Sequence, residues 1–279
     1  MASDIPDISL NNGISIPQVG LGVFQIPPDQ TRAATALAIE LGYRHIDTAQ
    51  LYGNEAGVGE AVRESGIDRS EFFVTSKLNN GAHAYADALA AFDQTLATLD
   101  IGYLDLFLIH WPLPTIGDFV ETWRAMEEIY RGGKVRAIGV SNFQTHHLDR
   151  ILTECTIVPA VNQIEVNPHL TNEKVRSYDV EHGIATEAWS PIARGRVLDE
   201  PAIVAIAQRV GRSPAQVTLR WHVQRGDIIF PKSVHAVRLR ENLELFDFEL
   251  TDDDLAAISA LNRDQRTGPD PDAFARLPS

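Results

Sequence analysis

The chain has one cysteine, Cys155, in 279 residues, so no internal disulfide can form. A reducing compartment and a cytoplasmic location are the expectation. Basic residues are also scarce. Against 38 Asp and Glu there are 24 Lys and Arg, a formal net charge of −14. A body this acidic repels nucleic acid and anionic membrane surfaces, so neither is expected as a partner. Any anion it binds must be met by a local cationic cluster. No apolar run reaches the roughly 18 residues of a membrane span. The opening stretch MASDIPDISLNNG has no apolar segment, so no secretory signal is expected. None of the nine histidines forms an HxH pair. His146-His147 begins a helical stretch, where solvated or capping roles suffice, so no metal site is expected.

What is present is ordinary for a globular protein with a substantial core: 44% apolar and 22% charged residues. Residues 8–16, ISLNNGISI, alternate apolar and polar around Asn12-Gly13, which predicts a hairpin. After it, short apolar runs alternate with stretches of period 3.6. Eight strands are expected, at 19–22, 44–48, 72–77, 104–110, 136–141, 160–166, 185–190 and 228–232. Nine helices are expected, at 29–41, 55–64, 85–99, 119–131, 145–153, 173–182, 201–210, 214–224 and 235–246. Asp118 and Ser213-Pro214 read as helix starts; Gly42, Gly132-Gly133, Gly183 and Gly211 read as helix stops. Eight strand-helix alternations without a linker predict one (β/α)₈ barrel domain over 1–279, with an N-terminal hairpin and an irregular tail at 262–279. An open doubly wound sheet would want GxGxxG after its first strand; Gly20-Leu21-Gly22 has no third glycine.

In a barrel, chemistry gathers at the C-terminal strand ends. The second strand, within RHIDTAQLYGNE, ends in Asp47, and Tyr52 follows beside a glycine. The third strand ends in Lys77 and the fourth in His110-Trp111. Later ends carry Ser141-Asn142, Gln163, Trp189-Ser190 and Lys232-Ser233. A buried carboxylate needs a cation, and Lys77 on the adjacent strand is the expected partner of Asp47. An ammonium near Tyr52 is expected to lower the phenol pKa from about 10 and make it a general acid. His110 is expected to hydrogen-bond a substrate oxygen. Lys232, Ser233 and Arg238 form a cationic and hydroxyl cluster suited to a phosphate group.

GYRHIDTAQLYGNEAGVG, the strand ending in Lys77, LFLIHWP, GKVRAIGVSNF and PKSVHAVRLRENLELFDFEL together resemble the aldo-keto reductases. The similarity runs from the hairpin to about residue 262 and is greatest to the bacterial branch of the 2,5-diketogluconate reductases. The resemblance implies a (β/α)₈ barrel, NADPH as cofactor and a tetrad of Asp47, Tyr52, Lys77 and His110. It implies that Ser141, Asn142 and Gln163 hold the nicotinamide carboxamide and that Trp189 stacks on the ring. Ser190, Pro191, Ile192, Arg194 and Gly195 would lie over the pyrophosphate. Lys232, Ser233, Val234 and Arg238 would take the 2′-phosphate side, with Glu241 and Asn242 near the adenine. Phe24, Gln50, Leu51 and Trp111 would line the substrate pocket. The expected activity is NADPH-dependent reduction of small or polar aldehydes and ketones by a monomer, because the LPTIGD loop is too short for a deep lid. A non-catalytic NADPH sensor or scaffold on the same fold is the alternative.

Overall fold

A computed structural model describes residues 5–277. The opening four residues of the expected signal-free N-terminus and the last two of the expected tail lie outside the described residues. Strands β1 (Asp7–Ser9) and β2 (Ser15–Pro17) pair antiparallel, with Ile8 opposite Ile16. Gly13 turns the hairpin at a φ of 84°, which glycine adopts without strain.

Eight parallel strands follow in order around a ring: β3 (Leu21–Gly22), β4 (His45–Asp47), β5 (Phe73–Leu78), β6 (Leu104–Ile109), β7 (Val135–Ser141), β8 (Val161–Glu165), β9 (Ala185–Trp189) and β10 (Ile228–Ile229). The ring closes where Val19 bridges Ile229; Gly20 N–H donates to Ile229 O at 2.7 Å and Ile229 N–H to Gln18 O at 2.9 Å. The first and eighth strands are shorter than the sequence pattern predicts. The first serves two neighbours at staggered heights, β10 at Val19 and β4 at Leu21–Gly22, as barrel shear requires. The eighth stops before Pro231, which has no N–H for a ladder. Both glycines of the GxG pair belong to this seam. A Cβ on Gly20 would lie 2.6 Å from His45 Nδ1, and one on Gly22 2.5 Å from Phe230 O. The pair allows close strand approach and is not a nucleotide loop.

Helices α1 (Pro28–Glu40), α2 (Glu55–Glu64), α3 (Tyr85–Leu99), α4 (Phe119–Arg131), α5 (Thr145–Glu154), α6 (Glu173–Glu181), α7 (Pro201–Val210), α8 (Pro214–Gln224) and α9 (Ala236–Leu243) match the expected nine within a few residues. A tenth, α10 (Asp252–Ser259), was not expected from periodicity. Thr251 starts it, with a reciprocal Thr251–Asp254 capping box and acids in its first turn. Asp118 and Ser213 cap α4 and α8 as expected. Among the described residues, no helix is long and apolar enough to cross a membrane.

Two apolar clusters form the core. The larger lies between strands and helices and includes Ile46, Val74, Phe107, Ile109 and Trp123. The smaller fills the lower barrel, where Phe73, Leu106, Leu108, Ala137, Val161 and Ile228 meet Leu10 and Ile16 of the hairpin. The hairpin therefore plugs the N-terminal end. Strand alternation then carries the inward face upward on β5 from apolar Phe73 to the ammonium of Lys77, and on β4 from His45 to the carboxylate of Asp47.

Candidate active site

The opening of the site is at the C-terminal ends of β4, β5 and β6. Lys77 is wholly buried, and its ammonium uses all three donors. Nζ donates to Asp47 Oδ1 at 2.6 Å, to Thr48 O at 2.9 Å and to Tyr52 Oη at 3.5 Å. Tyr52 reaches this point because residues 50–52 form a single 3₁₀ turn after β4, ended by Gly53 at a φ of 65°. Asn54 ties the turn down, accepting from Thr48 Oγ1 and donating to Val23 O and Ile26 O. A glycine beside the tyrosine is thus a requirement of the turn. The His110 ring lies edge-on to Tyr52, with centroids 5.8 Å apart.

Burial works against the charge of Lys77, but Asp47 and the phenol oxygen outweigh it and hold the ammonium above its ordinary range. Burial holds Asp47 above the usual carboxylate range, with Lys77 and Gln163 pulling it back. For Tyr52 the sequence expectation needs correcting. Burial raises the phenol pKa, and although Lys77 lowers it, the net direction is upward. Burial, Lys77 and His83 together push His110 well below the usual imidazole value, so its ring is neutral.

The residues assigned by resemblance to a cofactor occupy the opposite arc. Ser141 ends β7 and donates to Gln163 O at 2.9 Å. Asn142 takes a left-handed φ of 66°; its Nδ2 donates to His110 O and Ser141 Oγ, and its Oδ1 accepts from Trp189 Nε1 at 2.8 Å. Gln163 Nε2 donates inward to Asp47 Oδ2 and Glu187 Oε2 at 2.8 and 2.7 Å. Ser190, Ala193 and Arg194 also have positive φ, at 50°, 48° and 56°. Non-glycine residues in that region cost about 1–3 kcal/mol each and gather at ligand sites. His222 supports this loop from behind, with Nε2 3.0 Å from Pro191 O and Nδ1 2.8 Å from Asp227 Oδ2. Ile192 and Gly195 sit in the same loop, and Gly195 N–H donates to Ile192 O.

After β10, Lys232 and Arg238 are exposed, and among the described residues neither has a carboxylate partner. Ser233 is buried and accepts from His235 N–H. Val234 and Glu241 are half-buried nearby. Asn242 is buried against the Tyr43 phenol, whose pKa burial raises.

At the substrate side, Phe24 and Leu51 are exposed at the rim, and the Phe24 ring lies 5.0 Å from Tyr52. Trp111 is covered by Phe274 of the tail at 4.3 Å. Gln50 does not face the mouth. Its Nε2 donates to Ala91 O and Thr95 Oγ1, and its Oε1 accepts from Asn79 N–H. Its amide is consumed in anchoring the turn to α3.

Sequence reasoning missed five residues around this site. Glu165 at the end of β8 accepts from Thr267 N–H, Thr267 Oγ1 and Gly268 N–H, which latches the tail to the rim. Gly268 lies so close to Trp189 that a Cβ would come within 2.5 Å of its Cη2. Asp272 approaches Nε2 of His146 and His147 at 3.3 and 3.4 Å. Because His147 Nδ1 accepts from Gln144 N–H, its neutral ring carries the proton on Nε2 and offers no lone pair to a cation there. Glu187 and His45 lie deeper in the barrel. The first was legible as a lone carboxylate inside ATEAW; the tail contacts had no local signal.

Known proteins are similar to this chain over nearly its whole length. Residues 18–263 match the model of the Aldo/keto reductase family. An aldo-keto reductase of Mycolicibacterium smegmatis is 48% identical, covering 96% of this chain and 98% of its own. A glyoxal reductase of Bacillus subtilis is 47% identical, covering 95% and 96%. A crystal structure of a Gox0644 mutant in complex with NADPH superposes with a TM-score of 0.94 at 44% identity, covering 98% and 99%. With this match spanning the rim from Gln18 to Arg263, the chain belongs to the aldo/keto reductase family.

Proposed function

We propose that this protein reduces small or polar aldehydes, ketones and dicarbonyls to alcohols with NADPH, using Tyr52 as the proton donor. The observation that carries the reading is the saturated Lys77 ammonium, shared between Asp47 and the Tyr52 phenol at the rim. The raised phenol pKa means that Tyr52 holds its proton at neutral pH. Lys77 stabilises the phenolate that remains once the proton has gone, and Asp47 keeps the Lys charged and aimed. Neutral His110 can donate to the substrate oxygen beside the phenol without adding charge.

The residues present fit the cofactor. Gln163 Oε1 has no protein partner among the described residues and is free to accept from a carboxamide. Ser141 and Asn142 lie beside it, and Trp189 is held ready by Asn142 as a stacking surface. The positive-φ loop at 190–195 suits a pyrophosphate. Arg194, Lys232 and Arg238 are exposed cations on an acidic protein, suited to phosphate, with Ser233, Val234, Glu241 and Asn242 adjoining. When bound, NADPH supplies the hydride. The short loop at 113–118, exposed Phe24 and Ile116, and a relative named glyoxal reductase support small substrates.

Stopped-flow and steady-state absorbance with methylglyoxal and phenylglyoxal test the reading. Tyr52→Phe should lower turnover by about 10²–10⁴-fold, the usual worth of a general acid, with NADPH affinity retained. Near-normal turnover would remove Tyr52 from its role. NADPH binding with no turnover on any carbonyl would favour the sensor alternative, and steroids reduced far better than dicarbonyls would refute the substrate class.

A further inference from the structure

Below the tetrad, the barrel holds a second carboxyl group that the reaction does not obviously need. Glu187, in the middle of β9, is completely buried. Its Oε2 accepts from Gln163 Nε2 at 2.7 Å. Its Oε1 has no hydrogen-bond partner, and neither has His45 Nε2, which faces it at 3.9 Å. His45 Nδ1 lies 3.1 Å from Pro17 O, which can only accept. That nitrogen therefore carries a proton, and in the neutral ring Nε2 is a lone pair. An ionised Glu187 would then set a carboxylate oxygen against a lone pair with no donor between them. A protonated Glu187 can turn its O–H toward that lone pair across the 3.9 Å gap, which is wider than a hydrogen bond.

The same bookkeeping settles the Gln163 amide. One atom of it touches both Asp47 Oδ2 and Glu187 Oε2. Asp47 is ionised against Lys77, so that atom must be the nitrogen. Both of its hydrogens are used inward, and the carbonyl oxygen is left for whatever lies at the mouth.

We propose that Glu187 is a positioning residue that retains a proton on the oxygen facing His45 and, together with Asp47, holds Gln163 with its carbonyl oxygen free for the nicotinamide carboxamide. This rests on the cofactor reading given above. The charged and titratable neighbours agree. Burial and the Asp47 charge push Glu187 up to about 8, opposed by Gln163 and Lys77. Burial, with a smaller contribution from Lys77, pushes His45 down to about 4. With both neutral, Asp47 and Lys77 form a balanced pair, and no second anion competes for the ammonium.

The Glu187→Gln substitution copies a protonated acid: its carbonyl can accept from Gln163 while its amide N–H faces the His45 lone pair. Glu187→Leu removes the acceptor for Gln163 and the polar group facing His45. Two measurements on the full chain separate the possibilities. Infrared spectroscopy of the free protein at pH 7 should show the carbonyl stretch of a buried protonated carboxylic acid that Glu187→Gln lacks. NADPH titration by protein fluorescence should give Glu187→Gln an affinity close to wild type at pH 7, and Glu187→Leu one about tenfold weaker, the worth of one buried hydrogen bond. Between pH 7 and 9.5, wild-type affinity should weaken while that of Glu187→Gln holds. No carboxylic-acid band lost in Glu187→Gln, equal losses in the two variants, or identical pH profiles would overturn the proposal. Should wild type fail to bind NADPH at all, the cofactor reading falls and the positioning role with it; the infrared band still decides whether Glu187 keeps its proton.

Discussion

At the scale of single residues, the site is a matter of which polar atoms are left over. Lys77, Asp47 and Asn142 are fully engaged by protein partners, whereas among the described residues Gln163 Oε1, Lys232 and Arg238 have none. The unspent groups are the ones suited to a ligand. Arg238→Ala should weaken NADPH about tenfold or more, as expected for loss of a charge-assisted phosphate contact, and leave NADH nearly unchanged. Dissociation constants for the two nucleotides check this, and equal losses would show that Arg238 does not face a 2′-phosphate. That Asp47, Lys77 and His110 meet was readable from strand ends, because each is a costly polar group placed where an apolar strand stops; Tyr52 joins them from the turn after β4. The sign of the Tyr52 shift was not readable. It depends on how much solvent the folded rim excludes, and burial outweighs the nearby ammonium.

At the scale of elements, small residues decide how closely pieces approach. Gly59 on α2 packs against the end of α3, where a Cβ would come within 1.9 Å of Leu99 O. Backbone cannot yield as a side chain can, so Gly59→Ala should destabilise the fold by about 1–3 kcal/mol, the usual penalty of overpacking. Urea denaturation measures it, and an unchanged midpoint would show that α2 shifts freely. The tail is the other element at issue. Without strand or helix in its described part, it is held by Glu165, by Phe274 on Trp111 and by Asn80 Nδ2 donating to Arg276 O. Glu165→Ala should free residues 265–270, raising their amide exchange while the barrel strands stay protected. Unaltered exchange there would mean that the aromatic contact alone seats the tail. Periodicity located nine helices because each buries one face. It overlooked α10, whose signal is a capping box and a run of acids over one short helix, with an apolar face too small to stand out.

At the scale of the whole molecule, buried titratable groups shape stability against pH. Burial holds Glu187 and Asp179 near 8. Each therefore binds its proton more tightly when folded, and its contribution is present below about pH 4 and lost as pH rises towards 8. Burial also holds His45, His83 and His147 near 4. Their neutral forms favour the fold above about pH 6.5, and that contribution is lost as pH falls towards 4. Burial shifts His110 and His222 downward and Asp47 and Glu55 upward in the same senses, so between these limits five histidines oppose four carboxyl groups, and above pH 6.5 only the carboxyl groups act. Stability should peak at about pH 6–7 and fall towards pH 8.5, with a shallower alkaline fall in Glu187→Gln. Chemical denaturation across pH tests this; a maximum at pH 8 or above would contradict it. The sequence by itself determined the strand-helix order, the placing of polar residues at one end of the barrel and the acidic surface, because these follow from local periodicity and composition. Only the tertiary structure decided that Gln50 faces α3, that the GxG pair is a barrel seam, that residues 267–268 latch to β8 and that Glu187 faces His45. Each of those depends on segments distant in the chain meeting at atomic distances, where burial and the count of available donors and acceptors set the outcome.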